Sequence, residues 1–111
     1  MKLSALALCV PLFVLGQAAH AAPDYTTQVQ PILQKNACLA CHAVDKKVVG
    51  PAYQDVAAKH KDQADAAEIL TKHIKEGSSG VYGPIPMPPN VGISPADTQI
   101  VVEWLVAGAP H

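Results

Sequence analysis

The chain has 111 residues, half of them hydrophobic, with 8 lysines and no arginine set against 9 acids, for a formal charge of −1 at pH 7. A balance so close to neutral, without a dense basic patch, excludes a nucleic-acid binder and strong capture by an anionic membrane surface, and leaves proteins as the expected partners. One domain with a modest core is all that this length supports, and domains of that size usually need a covalent or bound staple.

The chain opens on Met1-Lys2, followed by an apolar run from Leu3 to Leu15 and the small residues Ala18-Ala19-His20-Ala21-Ala22. This is the layout of a secretory leader. The run falls short of the roughly 20 apolar residues that a bilayer-spanning helix needs, which argues against an uncleaved anchor. Lipidation at Cys9 is disfavoured by the bulky Leu8 before it, and Cys9 reads as a small hydrophobe within the leader. Residues 1–22 are therefore assigned to a cleaved signal peptide and 23–111 to the mature domain, with cleavage after Ala21 or Ala22. Loss of Lys2 leaves seven lysines against nine acids, a net of −2.

In the mature part, Val29, Ile32 and Leu33 fall at helical spacing and predict a first helix from Tyr25 to Asn36, with Pro31 in its first turn or bending it. After the break at Gly50-Pro51, residues Ala52 to Lys61 form a second short helix with Tyr53, Val56 and Ala57 on one side. Between Ala64 and Glu76, the positions Ala66, Leu70, His73 and Ile74 follow i, i+4, i+7, i+8, and Gly77 suits a C-terminal cap. Gly77 to Ile93 is rich in glycine and proline and is expected to be irregular. The last helix has the clearest start: Ser94 as cap, Pro95 at the first helical position and Asp97 in the first turn. Ile100, Val101, Trp104 and Leu105 give it an apolar face, and Gly108 closes it. No segment alternates as a strand would, so the class is all-α.

Cys38-Leu39-Ala40-Cys41-His42 carries the chemistry. C-x-x-C-H is the attachment motif of c-type haem: two intervening residues let both thiols reach the vinyl groups from one side, and the adjacent histidine falls beneath the iron. A thioredoxin-like pair would belong in a βαβ context that this chain lacks. Structural zinc needs four ligands, and His60, His73 and His111 form no paired motif with the two cysteines of the mature chain. A Cys38–Cys41 disulfide would close only a tiny loop. None of these explains His42. Met87 is the one methionine that survives leader removal, and prolines crowd it in Tyr82-Gly83-Pro84-Ile85-Pro86-Met87-Pro88-Pro89-Asn90, so it is the expected sixth ligand. The alternative is a methionine that simply fills the core. With both axial positions taken, simple electron transfer is favoured over oxygen or peroxide chemistry, and an enzyme is not expected.

These residues resemble the short bacterial class I cytochromes c that donate electrons to cytochrome-type nitrite reductase and terminal oxidases. The resemblance spans nearly the whole mature chain and rests on Cys38-Leu39-Ala40-Cys41-His42, on Val49-Gly50-Pro51-Ala52-Tyr53-Gln54-Asp55-Val56-Ala57-Ala58-Lys59, and on Gly83-Pro84-Ile85-Pro86-Met87-Pro88-Pro89-Asn90. It implies the class I fold, four or five short helices around one covalently bound haem c; together with the export signal it places the protein in the periplasm, and a monomer is expected. It implies further that the Pro51 carbonyl accepts the other ring N–H of His42, and that Asn90 hydrogen-bonds near the Met87 sulfur. His73 matches a position where the family uses a basic residue near a haem propionate, and Tyr82 one where a tryptophan often performs a similar task. Both are variants, and for His73 packing at the core edge is the competing role. The implied partners are redox proteins: a nitrite reductase, a terminal oxidase, a quinol-oxidising complex or a peroxidase. Competing functions are a gas- or peroxide-reactive protein with a labile Met87 and a haem module of a larger reductase. The lysines either ring the exposed haem edge for docking or are ordinary solvated surface.

Overall fold

The structure, a computed structural model, describes residues 21–111 together with Pro11. The expected leader lies outside the described residues except for Pro11, Ala21 and Ala22. Among the described residues no helix is long and apolar enough to cross a membrane.

The first helical segment starts with a reciprocal cap: the Thr27 N–H donates to the Asp24 carboxylate at 2.8 Å, and the Asp24 N–H donates to Gln28 Oε1 at 2.8 Å. Two backbone donors that a helix start would leave unpaired are satisfied in this way. The segment then runs as a π-turn, Tyr25–Val29, before tightening into α1, Gln30–Lys35. The single regular helix expected over 25–36 is thus two windings. Pro31 lacks an N–H and its ring crowds the carbonyl four residues back, so a wider turn ahead of it relieves the clash. Ala37 adopts a left-handed conformation, φ 59°, and turns the chain into a 3₁₀ turn at Cys38–Ala40 that the spacing of apolar residues did not signal.

Helix α2 spans Tyr53–His60 and α3 spans Ala66–Glu76. On α3, Ala66 and Leu70 are buried while His73 and Ile74 are half-buried, so the predicted stripe is real but its C-terminal end faces something other than packed core. Gly77 ends the helix with φ 78°. Between α3 and the last helix the chain is irregular, as its glycines and prolines require. Two isolated pairings, His42 with Lys47 and Ser78 with Met87, are the extent of β structure among the described residues.

Helix α4, Pro95–Val106, begins as the sequence indicates: the Asp97 N–H donates to the Ser94 hydroxyl at 3.1 Å and proline occupies the first turn. Its buried residues include Val102 beside Val101, Trp104 and Leu105, whereas Ile100 is half-buried. The apolar face is broader than expected because α4 packs against the π-turn, α1, α2 and α3 alike. At its centre Trp104 is fully buried. Tyr25 stacks on it at 5.5 Å and Tyr53 meets it edge-on at 5.3 Å, contacts worth about 0.5–1.5 kcal/mol each beyond burial. Its indole N–H donates to the Pro110 carbonyl at 2.7 Å. α4 therefore fastens the first helical segment and the C-terminal residues together.

Candidate cofactor site

A cavity of about 430 Å³ opens between α1, α2, α3 and the irregular segment that follows α3. That is the size at which proteins hold compact organic ligands. Its walls collect Cys38, Cys41, His42 and Met87, and also Pro51, His73, Tyr82 and Asn90. Residues spread over half the sequence are thereby brought around one space.

Cys38 and Cys41 are free, half-buried thiols on the 3₁₀ turn. Burial pushes the Cys38 thiol up, which keeps it protonated at neutral pH. The ring of His42 is fixed by its Nδ1, 2.7 Å from the Pro51 carbonyl. A carbonyl only accepts, so Nδ1 carries the proton and Nε2 keeps its lone pair. Tyr53 stacks on the same ring at 4.9 Å. Gly50 makes room for it: a Cβ there would lie 2.6 Å from His42 Cε1. The Gly50 N–H also donates to the Cys41 carbonyl at 2.8 Å, tying this bend to the cysteine turn.

Met87 sits on the irregular segment, whose backbone is anchored to the end of α3. Ser78 and Met87 exchange both N–H···O bonds, at 3.1 and 2.9 Å, and the Asn90 N–H donates to the Ile74 carbonyl at 2.9 Å. The Asn90 side chain donates to the Asn36 carbonyl at 3.1 Å. It was expected beside the Met87 sulfur. In this structure it braces the methionine segment against the turn that precedes Cys38.

His73 is half-buried on α3, with burial first, and His60 and Lys72 after it, holding its imidazole below the ordinary histidine value. The Tyr82 hydroxyl lies 3.0 Å from Nε2 of His60, and burial pushes its phenol up to about 12. His60 is the residue that sequence reasoning missed. Flanked by Lys59 and Lys61 it reads as surface, yet it is only 5% exposed. The signal was its spacing, since 53, 56, 57 and 60 follow i, i+3, i+4, i+7 on the buried side of α2.

Tyr53 forms part of the same wall. The Tyr53 hydroxyl is buried without a hydrogen-bond partner among the described residues, and burial pushes its phenol up. Buried polar groups are normally paired, so an orphan on the cavity wall marks a place where a bound group belongs.

Residues 17–108 match the sequence profile of the family described as Cytochrome c. The chain is 55% identical over 75 residues to cytochrome c-552 of Nitrosomonas europaea, covering 68% of this chain and 73% of that protein. It is 41% identical over 100 residues to cytochrome c-551 of Stutzerimonas stutzeri, covering 90% and 95% of the two. The crystal structure of wild-type Nitrosomonas europaea cytochrome c552 superposes with a TM-score of 0.68 at 52% identity, over 71% of this chain and 98% of that one.

The chain belongs to the cytochrome c family.

As a cytochrome c of the small bacterial class I type it is an electron-transport protein, and its cofactor is covalently bound haem c. The site fits that group. Two thiols outside any disulfide stand beside an imidazole whose Nε2 has no hydrogen-bond partner among the described residues, a thioether lines the same cavity, and the walls are largely apolar and include Tyr53, whose buried hydroxyl is unpartnered among the described residues. Among the described residues no three His, Cys, Asp or Glu side chains gather as a metal cluster.

Proposed function

We propose that the mature domain, residues 23–111, is a soluble one-electron carrier that is not itself an enzyme and works in the periplasm once the leader 1–22 has been removed. Cys38 and Cys41 form the two thioethers, and His42 and Met87 are the axial ligands. The bound haem supplies a ferric/ferrous couple. The observation that carries this reading is the His42–Pro51 contact: with Nδ1 committed to a carbonyl at 2.7 Å, Nε2 is presented in one tautomer and one orientation. A thioether from Met87 raises the potential relative to a second imidazole, and the braced segment around it disfavours an open site.

Docking is supported by exposed apolar residues at the cavity mouth. Ile85 and Val91, 62% and 91% exposed, line it, and Val48 and Val49 are exposed on the bend that follows the cysteine turn. A patch of this kind suits the small, transient interfaces of electron-transfer encounters. Lysines contribute less: Lys35 pairs with Asp97 at 3.7 Å and Lys72 with Glu76 at 4.0 Å, ordinary surface pairs of small worth. The partners expected from the resemblance are a nitrite reductase, a terminal oxidase, a quinol-oxidising complex or a peroxidase.

The test is the absorption spectrum of the purified mature protein in both oxidation states. We expect c-type haem bands and the weak far-red band of a methionine–ferric iron bond, with the far-red band lost in Met87→Ala. Haem bands without the far-red band, together with rapid binding of carbon monoxide by the reduced native protein, would overturn the carrier in favour of a gas- or peroxide-reactive protein.

A further inference from the structure

The Tyr53 hydroxyl is a buried donor to which the carrier reading gives no task. The residue is 5% exposed, it lines the cofactor cavity, and its oxygen has no hydrogen-bond partner among the described residues. An unmet O–H at that depth is costly enough that native proteins rarely keep one. The ring also cannot swing its oxygen elsewhere, since it stacks on His42 at 4.9 Å and meets Trp104 edge-on at 5.3 Å.

Its neighbour is the Cys38 sulfur, on the same cavity wall. Burial first, and Cys38 next, push the Tyr53 phenol up, whereas Cys41 acts more weakly. Conversely, the Cys38 backbone and Tyr53 draw the Cys38 thiol part of the way back from the rise that burial gives it. Each group acts on the other, so hydroxyl and sulfur face one another.

Attachment of a haem changes what that sulfur can do. As a thiol it spends its proton elsewhere, Sγ donating to the Asn36 carbonyl at 3.8 Å. Thioether formation adds S–H across a vinyl group: the sulfur bonds one vinyl carbon, the hydrogen goes to the other, and nothing is left over. The product sulfur can only accept. The Asn36 carbonyl stays satisfied, because the Asn90 side chain already donates to it at 3.1 Å. A donor without an acceptor and an acceptor without a donor then stand side by side. His42 does not compete, since its Nδ1 is engaged with the Pro51 carbonyl and its Nε2 is left for iron.

We propose that in the haem-loaded protein Tyr53 is a positioning residue whose O–H donates to the Cys38 thioether sulfur. The inference rests on the attachment reading of Cys38. It gives one side chain two holds on the site: the hydroxyl fixes the attached edge of the cofactor, and the ring face fixes the imidazole of His42.

Proton NMR of the reduced, haem-loaded protein tests this. A slowly exchanging Tyr53 hydroxyl proton should show a nuclear Overhauser contact to the Cys38 β-protons, and a contact to an internal water in its place would overturn the proposal. Resonance Raman supplies a second signature. The C–S stretching band should shift when deuterated water replaces water in the wild type and should not shift in Tyr53→Phe, a difference that ring packing alone would not produce. Tyr25→Phe, which alters another tyrosine packed on Trp104, should keep the wild-type shift. Urea unfolding separates the two states of the hydroxyl: loss of a paired one lowers the midpoint of Tyr53→Phe, whereas loss of an orphan raises it. Should Tyr53→Phe fail to fold, the wild type decides by itself, because a hydroxyl without contact to Cys38 and a band that ignores deuteration refute the bond. Mass spectrometry of the denatured protein keeps the two readings apart. Haem that dissociates on denaturation sinks the attachment reading and this proposal with it. Haem that stays bound, with a raised midpoint and an unshifted band, sinks only the Tyr53 bond.

Discussion

Ser78 and Met87 exchange two backbone hydrogen bonds, so the expected methionine ligand is held by the residue that follows the helix cap, not by its own neighbours. The pairing depends on Gly77. Its φ of 78° is unfavourable for any side chain, and a Cβ there would collide with the Met87 carbonyl.

Gly77→Ala should therefore destabilise the haem-loaded protein by about 2–3 kcal/mol, combining left-handed strain with local overpacking. Urea unfolding measures the loss. The far-red methionine band should weaken in the same variant, since relief of the clash moves the Met87 backbone. An unchanged midpoint with an unchanged band would show that the segment tolerates the shift.

The reverse substitution is favoured at Ala37, which sits at φ 59° immediately before Cys38. An alanine in that region costs about 1–2 kcal/mol, while glycine adopts it freely but loses more entropy on folding. Ala37→Gly should raise the urea midpoint, for a net gain of about 0.5–1 kcal/mol, with the same dependence on denaturant. A lower midpoint would mean that the alanine methyl makes packing contacts worth more than the strain.

His73 gives a prediction about acid. Burial, with His60 and Lys72, holds it below the ordinary value, so between its folded value and about 6.5 the unfolded chain binds more protons than the folded one. Stability is then unaffected above about 6.5 and is lost as pH falls through that window. Thermal unfolding should show a midpoint that drops between neutral and mildly acid pH, and His73→Gln should reduce the drop. A haem carboxylate in direct contact with His73 would raise its value instead. In that case acid would cost the wild type no more than the variant.

Much of this arrangement was legible in the residues themselves. The Ser94-Pro95 start of α4, the Ala66-Leu70 stripe of α3 and the C-x-x-C-H run are local signals, each set within a few residues. What was not legible depends on contacts across the chain. Asn90 finds its acceptor at Asn36 and Tyr82 finds His60, partners that no spacing rule connects. The π-turn before Pro31 and the burial of Val102 likewise reflect how α4 receives the first helical segment on one side and α2 and α3 on others.

The row of rings from His42 through Tyr53 and Trp104 to Tyr25 joins the cofactor site to both ends of the fold. Tyr53 lines the cavity on one side and meets Trp104 edge-on on the other, so the latch between the first and last helical segments rests on a ring that is also a wall of the haem site. Folding of the two ends and construction of the cofactor site therefore share one side chain.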